Sequence, residues 1–240
     1  MKRYIKNMLL ASAAVMTLCC HTACIDETVP TDEATPATIK TDSKSLSYLA
    51  NSLPSFLTTW NTYNSGDYTQ DWGYPCQMYM RDLLCADFPQ SDNSFNYWDY
   101  IEDGSSLRYA YYYTFYYYYV FIKNANGVIS VGKDAVDGGN EAAKKYLGQG
   151  YGYRAMLYLD LERLFEYKKT GVSYLDKQAD SLGCVGITIP IVTEKTTKVE
   201  LKNNPCAPFY TMNRFIMTDL NRAEENLAGY NREHKAFMDQ

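Results

Sequence analysis

The sequence has few of the residues from which most enzyme centres are built. It contains two histidines, His21 and His234, and its seven cysteines form no C-x-x-C pair. A zinc site of the usual spacing is therefore not expected, and a Cys–His or Ser–His–Asp centre would depend on His234 near the end of the chain. Glycines 148, 150 and 152 lie within a helical pattern and are not followed by Lys-Ser/Thr, so they do not form a phosphate-binding loop. We predict no cofactor and no metal.

Long basic runs and long apolar runs are also lacking. The chain has 23 basic and 28 acidic residues, a formal net charge of −5. Because no Lys/Arg-rich run is present, nucleic acids and anionic lipid surfaces are poor partners. The apolar stretch Met8 to Leu18 is too short to span a membrane as a helix.

The first residues have the layout of a secretory signal. Lys2, Arg3 and Lys6 precede the apolar stretch, and Ala23 then stands directly before Cys24. A small residue before a cysteine is what a lipoprotein peptidase requires, so residues 1–23 are predicted to be removed and Cys24 to carry lipid. His21 departs from the usual lipoprotein pattern, and the alternative is an ordinary cleaved signal without lipid.

Residues 24–43 are predicted to be a flexible acidic tether, since they combine prolines, threonines and carboxylates with little to bury. Residues 44–240 are then one helical domain. Tyrosine is unusually abundant in the chain, at 24 of 240 residues. Its apolar ring and hydroxyl suit both packed helices and sugar-binding surfaces.

Apolar spacing in the domain predicts an all-α fold of paired helices, an α-solenoid or a bundle, rather than an α/β sheet. Pro54 is expected to break the first helix. Glycines 148, 150 and 152 are expected to permit close contact between helices. The predicted helices are 45–60, 75–87, 107–131, 141–166 and 213–230, the last capped by Thr211 or Asn213, with an extended segment at 183–199.

The remaining cysteines divide into two pairs. Nine residues of helix would separate Cys76 from Cys85 by roughly 13 Å, too far for a disulfide, and these two are predicted to be buried thiols. Cys184 and Cys206 lie in turn-rich surroundings, and their pairing is left open.

Five segments, in this order along the chain, resemble the SusD/RagB family of nutrient-binding lipoproteins. The first is Cys24 with its acidic tether. The others are Ile122-Lys123-Asn124-Ala125-Asn126, similar to the family's "I..AN"; Tyr153 to Leu161 with its Arg154-Ala155 pair; Gly186 to Glu194, similar to "GIPLV"; and Arg214 to Leu227, with Asp219-Leu220 and Ala223 in place of "DL..A".

The resemblance implies a fold of TPR-like helix pairs with long aromatic-rich loops. It also implies a lipid-anchored protein of the outer membrane, exposed on the cell surface. Its partner would be a SusC-like TonB-dependent transporter, and its ligand an oligosaccharide or polysaccharide, or sometimes a peptide. Because family members are usually about twice as long, the chain is expected to be the N-terminal half of such a protein, and whether it holds a complete ligand site is left open.

Two aromatic loop clusters are the candidate ligand site. They supply flat rings for the C–H face of a sugar and planar polar groups for its hydroxyls. The residues are Trp72, Tyr74, Asn96, Tyr97, Trp98 and Asp99. The alternative is that Trp72 and Trp98 cap the core or face the transporter. The run Tyr111 to Tyr119 is predicted to pack mainly in the core, although a subset can form part of a transporter-facing surface.

The sequence thus predicts a receptor that binds a nutrient and delivers it for uptake without chemical change. One alternative is a TPR-like interaction scaffold without a ligand of its own. Another is an anchored glycoside hydrolase, which would need two carboxylates about 5–10 Å apart. The acidic residues available for that role are Asp87, Asp92, Asp99, Glu102 and Asp103.

Overall fold

Helices make up most of the residues that the computed structural model describes, which are 43–58, 73–84 and 107–230. The signal segment and tether residues 24–42 lie outside them. The elements are α1 Ser43–Thr58, α2 Tyr74–Leu84, α3 Leu107–Asp137, a 3₁₀ turn Glu141–Ala143, α4 Lys144–Phe165, α5 Ser173–Ser181, β1 Ile187–Pro190, α6 Lys198–Lys202, β2 Cys206–Pro208 and α7 Phe209–Leu227.

Helices α3 and α4 form an antiparallel pair joined by a short connection. Gly132 of α3 lies against Leu147 near the start of α4, whereas Ile129 lies against Gly150. The chain therefore runs along α4 in the direction opposite to that along α3. The same relation holds between α4 and α7, because Gly148 faces Leu227 and Gly152 faces Ala223.

Helix α1 is antiparallel to α3 on the other side of the pair. Phe56 near its end stacks on Phe121 at a centroid distance of 5.1 Å, and Leu46 near its start packs with Val131. The order in space is thus α1, α3, α4, α7, each helix antiparallel to its neighbour. This arrangement confirms the prediction of an all-α fold of TPR-like helix pairs.

The core follows from the stripes that these helices bury. Helix α3 contributes the largest set, and α4 and α7 close over it. The fully buried apolar residues of α3 are Tyr117, Tyr118, Phe121, Ile122, Ala125, Val128 and Ile129. Burial of such a stripe, rather than helix propensity, stabilises helices in proteins.

Two of the three glycines in α4 lie at close helix contacts, as predicted. A Cβ atom on Gly148 would lie 2.7 Å from Leu227 Cγ, and one on Gly150 would lie 2.9 Å from Ile129 Cγ1. Both distances are shorter than van der Waals contact. Gly152 is different, because its Cβ atom would lie 3.8 Å from Ala223 Cβ, an ordinary contact.

A small antiparallel sheet lies beside the helices. β1 pairs with β2, with Ile187 opposite Pro208 and Pro190 opposite Cys206. The prediction of an extended segment at 183–199 is right for β1 and wrong at its end, where α6 begins at Lys198. Helix α5 was not predicted, since it buries only Ala179 and so shows no apolar stripe.

Pro54 does not break the first helix. Helix α1 runs through it from Ser43 to Thr58, because Leu46, Ala50 and Leu53 form one continuous buried stripe on this helix. The packing of that stripe outweighs the loss of one backbone hydrogen bond.

The predicted ends of α3 and α7 also need correction. Helix α3 passes through Gly127 and ends at Asp137, and α7 starts at Phe209, with Pro208 in the N-cap position. The caps proposed at Thr211 and Asn213 are therefore wrong. Asn213 lies inside the helix and donates to the carbonyl of Phe209 at 3.1 Å. The strand β2 leads directly into α7, so the sheet sets the start of the helix.

Two further features concern the cysteines and the membrane. Cys184 and Cys206 are both free and exposed, which resolves the pairing left open by the sequence; Cys85 is outside the described residues. No helix within residues 43–58, 73–84 and 107–230 is both long and apolar enough to cross a membrane.

Candidate ligand-binding surface

One of the residues predicted to contact a ligand, Tyr74, lies within the residues that the structure describes. Its ring is half-buried against the core at the start of α2. Trp72, Asn96, Tyr97, Trp98 and Asp99 lie outside the described residues, as does Cys24. Their roles remain predictions.

The hydroxyl of Tyr74 belongs to a polar cluster centred on Asp160 of α4. Tyr74 donates to Asp160 Oδ2 at 2.8 Å, and Tyr118 of α3 donates to the same oxygen at 3.1 Å. Arg81 of α2 donates from Nη1 to Asp160 Oδ1 at 3.2 Å. Burial raises the pKa of Tyr74, and the negative charge of Asp160 raises it further, so this hydroxyl stays protonated as a donor.

The Asp160 cluster fixes α2 on the helix array. A second contact reinforces it, since Thr114 of α3 donates to Gln77 Oε1 at 2.8 Å. Helix α2 joins the segments 59–72 and 85–106, which contain the other predicted ligand residues. Tyr74 and Arg81 therefore hold the helix from which both segments continue.

The N-terminal part of α3 exposes a group of aromatic rings, called the aromatic face below. Its members are Tyr111 (41% exposed), Tyr112 (55%), Phe115 (37%) and Tyr116 (47%). The rings of Tyr112 and Tyr116 are parallel within 9°, with centroids 6.3 Å apart. The aromatic run is thus divided: core packing is confirmed for Tyr117 and Tyr118, and the members of the aromatic face are the exposed subset that the prediction allowed.

Phe165 of α4 supports the aromatic face from one side. Its ring meets Phe115 edge-on at 5.8 Å and Tyr111 at 6.0 Å. Phe115 also contacts Tyr119 at 4.3 Å. Rings held in this way lose little conformational entropy when a ligand packs on them, and grouped exposed rings make this face a candidate interaction surface.

The chemistry of this surface is suited to binding. Aromatic rings offer apolar faces, and tyrosine hydroxyls add hydrogen-bonding groups at their edges. Within the part of the chain that the structure describes, no three His, Cys, Asp or Glu side chains come together to hold a metal ion. The carboxylates considered for hydrolysis, Asp87 to Asp103, lie outside it.

Comparison with solved structures gives a match to the fold. The structure is similar to the crystal structure of a SusD-like carbohydrate binding protein from Bacteroides vulgatus ATCC 8482, with a TM-score of 0.58 and 20% sequence identity, over 80% of this chain and 37% of that one. The chain has a SusD-like fold. It spans 37% of the length of the structure that it matches. No family model matches the chain, and neither does any curated protein.

The segments that resembled the SusD family meet inside the SusD-like fold at Arg154. This side chain of α4 is 1% exposed. Its Nε and Nη2 atoms donate to the two carboxylate oxygens of Asp219 at 2.6 and 2.9 Å. Its Nη1 atom donates to Asn126 Oδ1 and to Glu194 Oε2, each at 2.7 Å. Asn126, Arg154, Glu194 and Asp219 come from four different motifs, so those motifs mark the interior of the SusD-like fold.

Sequence reasoning missed the polar clusters themselves. Arg81 was not singled out, and the other charged members were noted only as parts of motifs: Arg154, Asp160, Glu194 and Asp219. The available signal was a charged residue within an otherwise apolar helical segment, as at Arg154 and Asp160. Such a residue is buried only when it is paired. Its partner, however, lies far away in sequence.

Proposed function

We propose that the protein is a cell-surface lipoprotein that binds a glycan and delivers it, chemically unchanged, to a SusC-like TonB-dependent transporter. The observation that carries this proposal is the aromatic face on a SusD-like fold. The solved structure with which the chain shares this fold is described as a carbohydrate binding protein. The sequence identity of 20% supports the fold alone, so the ligand class rests on the surface chemistry.

Glycan binding would use the aromatic face as a stacking surface. A sugar ring has a C–H side that packs on aromatic carbon and hydroxyls that need planar polar partners. Tyr112 and Tyr116 supply two parallel rings, and Trp72, Asn96, Tyr97, Trp98 and Asp99 are proposed to supply further rings and hydrogen bonds. Tyr74 acts by positioning α2, because its hydroxyl is bound to Asp160.

Anchoring and transport complete the proposal. The signal layout and Cys24 support a lipid anchor, and two or more acyl chains hold a protein stably in a membrane. The order of the family-like motifs supports a SusC-like partner. Under this reading the protein holds its ligand beside the transporter at the outer membrane surface.

An interaction scaffold is the second candidate, because an exposed aromatic face on TPR-like helix pairs also suits contact with a protein. Aromatic residues are enriched at protein interfaces. The two readings differ in what is lost when the rings are removed. The receptor loses glycan affinity, whereas the scaffold loses transporter association only.

Native affinity electrophoresis tests the proposal. The soluble chain, starting after Cys24, is run through gels containing a panel of polysaccharides, with product analysis alongside. We expect one polysaccharide to retard the chain without forming products. Trp98→Ala, or the double variant Tyr112→Ala/Tyr116→Ala, should weaken retardation about tenfold, which corresponds to about 1.4 kcal/mol.

The matched control is Tyr210→Ala, which removes an exposed tyrosine (81%) from α7. It should be retarded like the parent chain, and all variants should show the helical circular dichroism of the parent. Released sugars would indicate hydrolysis instead. Absence of retardation by every polysaccharide would count against the receptor and favour the scaffold.

A further inference from the structure

No close contact with a neighbouring residue requires a glycine at position 127. Gly127 lies inside α3, where glycine is the poorest residue after proline because it loses the most backbone freedom. At Gly132 of the same helix a close contact explains the glycine, because a Cβ atom on Gly132 would lie 3.2 Å from Leu147 Cβ. A Cβ atom on Gly127 would meet nothing within 4 Å. The missing side chain therefore leaves open space at this point of α3.

That open space is part of a groove of about 350 Å³ between α3 and the segment 192–201, which includes the start of α6. The lining residues are Tyr119, Lys123, Asn126, Gly127 and Ser130 of α3, Val192, Thr193, Glu194 and Thr196 of the loop before α6, and Leu201 of α6. The lining thus combines ring carbon, backbone and methyl groups with hydroxyls, the ammonium of Lys123, and the amide of Asn126 and carboxylate of Glu194, both bound to Arg154. This mixture fits a ligand that has both C–H faces and hydroxyl groups.

The loop wall of the groove is held in place by the interior. The Tyr158 hydroxyl donates to the carbonyl of Val192 at 3.0 Å and accepts from its N–H at 2.7 Å, and Arg154 binds Glu194. Asn204 closes the loop by donating to the carbonyl of Ile191 at 2.8 Å. The groove is therefore preformed, which lowers the entropic cost of binding.

The groove residues of α3 lie on the same side of the helix as Tyr112 and Tyr116 of the aromatic face. The positions Tyr112, Tyr116, Tyr119, Lys123, Gly127 and Ser130 follow one another at spacings of four, three, four, four and three residues. Such spacings keep side chains on one helix face. At about 1.5 Å per residue, this stripe is about 27 Å long, enough for several sugar rings in a row.

We infer that this stripe, called the α3 track, binds an extended stretch of a polysaccharide, with one ring seated against the backbone at Gly127. The inference rests on the proposed glycan-binding function and adds a binding site for it, the groove at Gly127. The oligosaccharide would be bound there along its length. Stacking occurs at Tyr112 and Tyr116, and hydroxyl contacts occur at Ser130, Thr193 and Thr196.

The test fills the groove without disturbing the fold. Gly127→Leu places a side chain in the open space, and leucine favours a helix. Thr218→Leu is the control, since it adds a leucine at an exposed position of α7. Size-fractionated oligosaccharides made by partial hydrolysis of the polysaccharide panel are the probes. Affinity is measured by calorimetry, and the amide resonances of Gly127 and Ser130 (Ser130 alone in Gly127→Leu) are followed by NMR.

We expect affinity to rise with oligosaccharide length, and Gly127→Leu to weaken binding of the longest fragments about tenfold while leaving short fragments and the control unchanged. The amides of Gly127 and Ser130 should shift only with long fragments. If long fragments bind Gly127→Leu as they bind the parent, the track is wrong and the proposed function stands. If no fragment shifts these amides, the track is also wrong, and the polysaccharide gels then decide the proposed function separately.

Discussion

Arg154 holds a full positive charge in the interior, and its neighbours explain how. Asp219, itself 0% exposed, accepts two hydrogen bonds in a paired geometry that only a guanidinium can supply. Asn126 and Glu194 take the remaining donors on Nη1. The resemblance motifs contain all four of these residues, but they do not show the ion pair, because Arg154 and Asp219 are 65 residues apart in sequence.

Removing the guanidinium should destabilise the fold severely. Arg154→Met leaves Asp219 as a buried charge without its bidentate partner, and breaking a buried pair in this way costs about 3–5 kcal/mol. Urea unfolding followed by circular dichroism measures the change. The double variant Arg154→Met/Asp219→Leu should recover much of the loss, because it removes the fully buried charge of Asp219. Glu194 still loses its partner, but its side chain is 11% exposed and keeps contact with water. A single variant as stable as the parent would show that the pair is unimportant.

Glu194 makes the same cluster sensitive to acid. Burial alone would raise the pKa of Glu194, but the hydrogen bond and positive charge of Arg154 outweigh it, and the pKa is lowered. The stability that depends on this carboxylate is therefore present above the ordinary glutamate pKa of about 4.3 and is lost as the pH falls through the lower, folded-state value.

Glu194→Gln should cost about 1.5–3 kcal/mol at neutral pH, the usual value of a hydrogen bond to a charged group. Its unfolding free energy should also fall less than that of the parent as the pH drops below about 4.3. Chemical unfolding at a series of pH values measures both effects. Glu225→Gln, at an exposed position of α7, should follow the parent. Parallel pH profiles for the parent and Glu194→Gln would contradict the assignment.

At the scale of elements, helix spacing was predictable and helix limits were not. Apolar stripes located α1, α4 and α7, and the length of its aromatic run located α3; α2 was also predicted. The observed ends differ from the predicted ones because tertiary contacts determine them. The buried stripe on α1 continues the helix through Pro54, and strand β2 sets the start of α7. Helix α6 and strand β2 were not predicted, since neither is long enough to show a period.

The α4 glycines give a direct test of helix approach. Gly150→Ala brings its Cβ atom to 2.9 Å from Ile129 Cγ1 and 3.2 Å from Val128 Cγ1, both on fully buried side chains. Overpacking should lower the unfolding free energy by about 1–3 kcal/mol. Gly152→Ala is the control and should be neutral or raise stability by up to about 1 kcal/mol, because it gains helix propensity without a clash. Thermal unfolding compares the two, and equal stabilities would mean that α3 and α4 separate easily.

At the scale of the whole molecule, the SusD-like fold was reached from the sequence through ordered motifs, each weak by itself. Four of these motifs indicated the fold together, because folding brings one residue of each to the buried cluster around Arg154. The ligand residues are less constrained by folding. Among the predicted ones, Tyr74 serves the Asp160 cluster, whereas the exposed rings of Tyr112 and Tyr116 had been assigned mainly to the core.

Lipid attachment is a prediction about the whole protein. In cells fed an alkyne-labelled palmitate, the chain should become labelled and sediment with the outer membrane. Cys24→Ala should lose both properties, because the thiol of Cys24 is the proposed attachment site. Cys20→Ala, which alters a neighbouring cysteine of the signal segment, should behave like the parent. Label that persists in Cys24→Ala would place the lipid elsewhere or reject it.

The sequence by itself determined the helical class, the positions of the main helices and the close contacts of Gly148 and Gly150, because periodicity and side-chain volume are local properties. The tertiary structure decided which tyrosines are buried, since a run of rings without an alternating pattern carries no information on its faces. It also decided the partners of Arg154 and Asp160 and the open space at Gly127, because each depends on segments that meet only after the helices have packed.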